Sequence, residues 1–359
     1  MSKKIKIGFI GLNPDSHWAS TAHIPALKTL EDKFEVVGVA NSTYESAKKT
    51  AQALNLKYSF ETPQDLVVSD EIDLVVVTVK VPYHFELISK ALDAGKNVHS
   101  EWPLGNGLEE AKKLAQLAKQ KGVTATVDNQ MRASVEVNFI KKLIKDDFVG
   151  EVLSTTLVGD GGQWGAQTVE DLAYLSDKTK GATMLTIPFG HTLAGIQDVL
   201  GKISDISGRL ITRRDEVLVT DTNKTITQTA ADQIMANGVF ENGAAFSAHY
   251  RGGLSKGTNF LWEINGTKGD IQVRGDIGHG QFANFEIYGA QQDDEKLKLL
   301  EVPKELYEGK PENVIPRNVA GIYAKVADDI NTGSKTAPTF EDAVQVHQLI
   351  DSIIKTSKK

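Results

Sequence analysis

The segment Gly8-Phe9-Ile10-Gly11-Leu12-Asn13-Pro14-Asp15-Ser16 ends an apolar run in a glycine-containing turn. A helix that starts at the carboxyl end of a parallel strand offers unpaired N–H groups and a partial positive charge to a phosphate. The full dinucleotide fingerprint has glycine at its first, third and sixth positions. Here Gly11 fits, while Asn13 and Ser16 take the other two places. Asparagine tolerates a left-handed backbone, and a serine hydroxyl can donate to phosphate. Gly11, Leu12, Asn13 and Ser16 are therefore a candidate modified cradle, with a plain strand–helix turn as the competing reading. The next apolar run ends in Ala40-Asn41-Ser42-Thr43, where dinucleotide sites usually carry an acid for the ribose 2′-hydroxyl. No acid is present, so nothing there repels a 2′-phosphate. Ser42 and Thr43 have hydroxyls to offer, and Lys48 or Lys49 lies within reach. This favours NADP over NAD, unless Asn41, Ser42 and Thr43 merely cap the following helix.

Other residues with chemical capacity stand at the ends of runs. Thr78, Val79 and Lys80 close the third long apolar run, where crevice ligands of a parallel sheet bind. Lys80 is a candidate cation there, although exposed lysines are common. His84 begins the helix that follows, and is read either as its cap or as a group beside the cofactor. Tyr83 is read as a packing aromatic. His191 opens an apolar helix with Leu193, Ile196 and Leu200, as a proton carrier or as a packed helix-start histidine. Trp164 lies in Gly159-Asp160-Gly161-Gly162-Gln163-Trp164-Gly165, as a pocket cover or a loop staple. Arg132 faces either an anionic or hydroxylated substrate or an acid across the domain junction, and the second is the safer expectation. No His, Asp and Glu set has the spacing of a metal site, so no metal is expected. There is no serine nucleophile elbow.

These residues need a scaffold. Ile5–Ile10, Phe34–Ala40, Ile72–Val79 and Val123–Val127 read as strands, with shorter ones near Tyr58 and Val98. Continuous apolar strands point to a parallel sheet covered on both faces. Helical segments intervene: Ala47, Ala51 and Leu54 share a face, as do Ala111, Leu114 and Ala118 behind an Asn106 cap with Glu109. Strand–helix alternation predicts a doubly wound Rossmann domain over 1–128. After it, a helix through Val137, Ile140 and Ile144 leads to Val149-Gly150-Glu151-Val152, a turn into a strand. Alternating strands follow, with turns at Glu241-Asn242-Gly243 and Asn265-Gly266-Thr267-Lys268-Gly269, so 129–359 reads as an α/β domain with an open, mostly antiparallel sheet. Two closing helices carry the stripes Val319, Ile322, Tyr323, Val326, Ile330 and Val344, Ile350, Ile354; they are free to pack back on the first domain. Residues 290–316 read as a charged surface excursion.

Composition limits the partners. The chain has 359 residues, 40% hydrophobic and 24% charged, enough for two cored domains. With 40 Lys and Arg against 47 Asp and Glu, its formal charge is −7, which argues against direct nucleic-acid binding. No apolar run approaches a membrane span, and the first residues do not read as a signal peptide. There are no cysteines, which fits a reducing cytoplasm and removes disulfides and thiol chemistry.

Five segments, in order and spacing, resemble the Gfo/Idh/MocA oxidoreductase family. They are Asp73–Val79 with His84-Phe85-Glu86, Ala94–Leu104, Val149–Val152, Gly190-His191, and Asn265–Gly269. The resemblance runs from about Lys4 to Thr356. It implies a Rossmann domain that binds NAD or NADP, an open-sheet second domain that often builds dimers or tetramers, and reversible hydride transfer between a nicotinamide ring and a sugar-like alcohol. The family's Glu-Lys-Pro motif sets a lysine near the substrate hydroxyl, and an aspartate four residues before a histidine serves acid–base chemistry. Trp102 replaces that lysine in Glu101-Trp102-Pro103, and Ile187 replaces that aspartate; His191 remains. The register places Glu101 and Trp102 beside the cofactor, with His191 as proton shuttle and Lys80 as a substitute cation. Gly8–Asn13, Trp18-Ala19, His23–Ala26, Glu101-Trp102, Gly159–Gly165 and Phe189–Thr192 resemble one branch of the family, that of the yeast galactose-regulon repressor. Two functions are thus expected to compete: an NAD(P)-dependent oxidoreductase acting on a sugar, polyol or related CH–OH compound, and a non-catalytic dinucleotide-sensing regulator.

Overall fold

The computed structural model describes residues 3–15 and 18–358, so Ser16 of the candidate cradle lies outside the described residues. The chain divides into two compact units, Met1–Gln130 with Gly309–Gln345, and Met131–Glu308 with Val346–Lys359.

The first unit is built on six strands: β1 (Ile5–Ile10), β2 (Phe34–Ala40), β3 (Tyr58–Ser59), β4 (Leu74–Val77), β5 (Asn97–Glu101) and β6 (Ala125–Asp128). All pair in parallel, in the order β3-β2-β1-β4-β5-β6. This is the doubly wound order, and strand order reverses beside β1. The strands are apolar throughout because both faces are covered: Ile7, Phe9, Val39, Leu74, Val75, Val76, Val77 and Val98 are all fully buried. Helices α1 (Ile24–Lys28), α2 (Tyr44–Ala53), α3 (Pro63–Val68), α4 (His84–Asp93) and α5 (Leu108–Lys121) lie between the strands. Two boundaries differ from the sequence reading. The third long strand stops at Val77, which leaves Thr78 and Val79 in the following turn. Helix α5 is capped by Gly107, at φ +101°, and not by Asn106; the Glu110 carboxylate instead accepts the Asn106 N–H at 2.7 Å.

The second unit begins with α6 (Val135–Lys145), β7 (Val152–Asp160), the short β8 (Gln167–Thr168) and α7 (Pro188–Leu200). Strands β9 (Ile203–Ile211), β10 (Glu216–Val219), β11 (Lys224–Thr227), β12 (Gln233–Phe240), β13 (Ala245–Arg251), β14 (Phe260–Gly266), β15 (Gly269–Gly275), β16 (Phe285–Gln291) and β17 (Lys298–Leu299) follow. Eight of them form one sheet in the order β17-β16-β15-β14-β7-β13-β12-β9, antiparallel except where β13 meets β7. Alternation along the strands separates two faces. Phe246, Ala248 and Tyr250 of β13 are buried, as are Phe260, Trp262 and Ile264 of β14. Met235 and Val239 of β12 are exposed. Helix α7 lies on the buried face: Phe189 stacks on Tyr250 at 5.1 Å, and Thr192 bonds the Tyr250 hydroxyl at 2.7 Å.

Two helices close the chain, α8 (Val314–Thr332) and α9 (Phe340–Ser357). The α8 stripe Val319, Ile322, Tyr323 and Val326 is fully buried. The buried stripe of α9 is Ala343, Val346, Ile350 and Ile353; Val344 and Ile354 lie beside it, half-buried. No helix among the described residues is long and apolar enough to cross a membrane.

Candidate functional site

In the first unit the candidate residues gather at the carboxyl end of the sheet, beside the reversal of strand order. Gly11 leaves β1 with φ +100°, and its N–H donates to Ala40 O at 3.0 Å. A Cβ there would lie 2.6 Å from Val79 Cγ1, so only glycine lets the two turns close together. The Thr78 hydroxyl donates to Gly11 O at 3.0 Å. Leu12 is buried; Asn13 accepts the Asp15 N–H through its side chain at 3.0 Å, which makes a tight turn. The structure thus brings Gly11, Leu12, Asn13, Thr78 and Val79 together.

The end of β2 is arranged differently from the sequence expectation. The Asn41 amide nitrogen donates to Leu12 O at 2.8 Å and also faces Ser46 Oγ and Thr50 Oγ1. It fastens the Gly11 turn to α2. Thr43 is the α2 cap, its hydroxyl accepting the Ser46 N–H at 3.2 Å. Ser42 is exposed. Lys48 pairs with Glu45 and Lys49 pairs with Asp15, each at 3.1 Å. Of Asn41, Ser42 and Thr43, Thr43 takes the cap position and Asn41 acts as a tether.

Lys80 is exposed at the mouth of β4. His84 is buried, with Nδ1 2.8 Å from Pro103 O and Nε2 2.9 Å from Val79 O. Burial lowers its pKa, against the pull of those two carbonyls. It holds two crevice-lining turns in place. Trp102 is 3% exposed and precedes Pro103 through a cis peptide bond. It fills the lysine position of the family motif with an apolar ring and no charge.

Beneath this crevice lies a buried polar cluster that the sequence reading missed. Glu101 Oε1 accepts the Trp18 indole N–H at 2.9 Å and meets His23 Nε2 at 2.5 Å. His23 Nδ1 lies 2.7 Å from the Tyr323 hydroxyl. Asp128 Oδ2 accepts from Gln130 Nε2 at 2.9 Å and stands 3.7 Å from His23 Nε2. Asp128 Oδ1 is 4.0 Å from His99 Nε2. His23, His99 and Asp128 are completely buried. Burial pushes the Glu101 carboxyl up to about 7 and Asp128 well above the carboxylate range, Asp128 further because of Glu101. Burial holds His99 down at about 3. A histidine in the middle of an apolar strand and an aspartate at the end of another were the available signals.

The second unit has a buried polar cluster of its own. His191 is the fourth residue of α7, behind an Ile187 cap, and is 3% exposed. Burial, with His279 adding repulsion, drives its pKa down to about 3, so the imidazole is neutral at physiological pH. A base that weak accepts a proton poorly at pH 7 unless a bound ligand changes its surroundings. His279, also unremarked in the sequence reading, bonds Gly161 O at 3.0 Å through Nε2. Trp164 is buried, with its ring 5.6 Å from the His279 ring. Asp160 folds the intervening loop by accepting the Gly162 N–H at 2.8 Å. Trp164 therefore staples its loop to its own unit. Arg132 pairs with Asp198 of α7 at 3.3 Å. That acid belongs to the same unit as Arg132. Lys80 and His191, the two proposed catalytic groups, belong to different units.

A parallel six-stranded layer in doubly wound order, with a glycine-dependent turn at its switch point, followed by an open antiparallel sheet, defines a Rossmann-type dinucleotide-binding protein. Residues 5–129 match the model of the oxidoreductase family with an NAD-binding Rossmann fold, and residues 136–275 match the Gal80p C-terminal domain. The dehydrogenase aclE of Aspergillus oryzae is 30% identical over 77% of this chain and 78% of its own. The galactose/lactose metabolism regulatory protein GAL80 of Kluyveromyces lactis is 26% identical over 100% of this chain and 94% of its own. The crystal structure of a super-repressor mutant of Gal80p from Saccharomyces cerevisiae superposes with a TM-score of 0.90 at 25% identity, over 99% of this chain and 96% of that one. The chain belongs to the Gfo/Idh/MocA oxidoreductase family, and its second half is of the Gal80 type.

Proposed function

We propose that the chain binds a nicotinamide dinucleotide at the carboxyl end of its parallel sheet and uses it in hydride transfer with a sugar, polyol or related CH–OH compound. The observation that carries this reading is the Gly11 turn, closed against Val79 so tightly that no side chain fits, which leaves backbone in the place where a pyrophosphate is held. Gly11, Leu12, Asn13, Thr78, Val79, Glu101 and Trp102 form the proposed cofactor wall, with Asn41 and His84 supporting it. NADP is the preferred form, because no acid follows β2 and Ser42 is exposed there. His191 and Trp164 of the second unit are the proposed substrate contacts, and Lys80 of the first is the proposed cation. The exposed sheet face with Met235 and Val239 is the proposed contact between copies in a homo-oligomer, and the cytoplasm is the proposed compartment.

A second reading is favoured by Trp102 and Ile187. With the motif lysine and aspartate replaced, and His191 neutral, the chain suits a sensor that binds dinucleotide without turning it over. Its partner would then be a protein. Fluorescence titration with NADPH and NADH, followed by absorbance of the reduced nicotinamide while sugars and polyols are added, separates the readings. Binding with turnover of any compound supports the enzyme, and His191→Ala should then lose most of kcat while keeping dinucleotide affinity. Binding without turnover across the panel supports the sensor. No binding of either dinucleotide removes both.

A further inference from the structure

We propose that His23, His99 and Asp128 bind a divalent cation of the zinc class in the core of the first unit, with Glu101 as a fourth donor. It does not rest on the dinucleotide reading, and the two share only Glu101.

Donor geometry supports it. One ligand atom from each of His23, His99 and Asp128 lies within 4.8 Å of the others. The measured separations are 3.7 Å from His23 Nε2 to Asp128 Oδ2 and 4.0 Å from His99 Nε2 to Asp128 Oδ1. Donors about 2 Å from a tetrahedral zinc stand roughly 3.3 Å apart, so the three draw in by up to about 1.5 Å when an ion binds. Glu101 Oε1 meets His23 Nε2 at 2.5 Å in a hydrogen bond, which gives up its proton and opens to roughly 3.3 Å when both atoms take the ion.

The outer contacts are those of ligating imidazoles. A metal-bound histidine fixes its free ring nitrogen with a second hydrogen bond. His23 Nδ1 meets the Tyr323 hydroxyl at 2.7 Å, and His99 Nδ1 meets Thr126 Oγ1 at 2.9 Å. Both rings therefore turn Nε2 inward, towards Asp128.

The second, independent observation is what lies unsatisfied inside. His99 Nε2 and Asp128 Oδ1 are buried and have no hydrogen-bond partner. Buried polar atoms in native proteins are nearly always paired, and buried charges are paired or coordinate metals. The charged groups that act most strongly on Asp128 are Glu101 and His23. A dication with two carboxylates makes a neutral centre and satisfies both orphan atoms at once. The donor set, two imidazoles with carboxylate oxygens, suits zinc and excludes the soft thiolate metals. The three residues come from the turn before α1, the middle of β5 and the end of β6, so no local sequence motif announces them.

The experiment uses the untagged full chain. Metal content is measured by mass spectrometry after dialysis, and cobalt(II) is then titrated into chelator-treated protein while visible absorption is followed. The proposal expects stoichiometric zinc in the purified chain, intense cobalt d–d bands that zinc abolishes, and loss of those bands in His99→Ala and Asp128→Asn. His249→Ala, a histidine of the second unit, should keep them. If His99→Ala fails to fold, His99→Gln and the wild-type cobalt spectrum decide. Folded wild-type protein with neither retained metal nor cobalt bands overturns the proposal, as does cobalt binding that survives both substitutions; the cluster would then be held by shared protons alone.

Discussion

At position 11 a methyl group has nowhere to go. The backbone stands at φ +100° and the nearest Val79 carbon is 2.6 Å from where a Cβ would lie. Gly11→Ala should therefore cost roughly 1–3 kcal/mol in backbone strain alone, before the contact with Val79 is relieved. A lowered Tm together with at least a tenfold loss in NADPH affinity, about 1.4 kcal/mol, is the expected result. Wild-type affinity in a folded Gly11→Ala protein would mean that the turn does not carry the ligand. Single residues were unevenly legible. The glycine could be read because a strand and a helix flank it at fixed spacing. His23, His99 and Asp128 could not, because their meeting depends on which strands become neighbours. Asn41 was read as a ribose contact or a cap, and its amide turned out to reach back across the crevice to Leu12 O.

Among the elements, the segment after α8 shows how a sheet edge is closed. Asp329 is buried near the end of that helix and accepts from Thr336 N, Ala337 N and the Ser334 and Thr336 hydroxyls, all between 2.7 and 3.1 Å. Burial opposes its ionisation, but these donors win and hold the carboxyl below its usual value. Pro338 O then accepts the Val127 N–H at 2.8 Å, and Thr339 bridges Thr126. The outermost strand, β6, is thereby covered, as exposed edges usually are. Asp329→Ala leaves several donors without a partner and should destabilise the chain by about 2–4 kcal/mol, read as a shift in urea midpoint. An unchanged midpoint would show that water replaces the carboxylate at no cost. Most strands were legible because runs such as Leu74–Val77 are apolar without interruption. Boundaries were not: the α5 cap fell on Gly107 because its positive φ, and not the Asn106 side chain, turns the chain into the helix.

For the whole molecule, acid is the informative perturbant. His279 and His347 are buried neutral, each held down at about 4 by desolvation, from 6.5. In the unfolded chain they take up protons near pH 6.5, whereas in the folded chain they resist until about 4. Stability from this source is complete above pH 6.5 and is lost as pH falls through 6.5 towards 4, by on the order of 3 kcal/mol for each histidine. His347→Leu should flatten part of that slope in a pH series of Tm values. A slope identical to wild type would place the proton uptake elsewhere. At this scale the sequence showed two cored regions and their sheet types, because the pattern changes after about residue 128 and alternating strands follow. It raised a return of the closing helices to the first domain without choosing, since nothing local records where a helix docks; residues 309–345 fall in the first unit.

The Asn41 tether also bears on speed. Its amide secures Leu12 O from the far side of the crevice, so the loop has surrendered its freedom during folding and has little left to lose when a guest arrives. Capture at such a rigid mouth should run as a single exponential whose rate climbs linearly with guest concentration, without the plateau that marks a slow rearrangement. Asn41→Ala would slacken the loop, and stopped-flow mixing should then show the plateau.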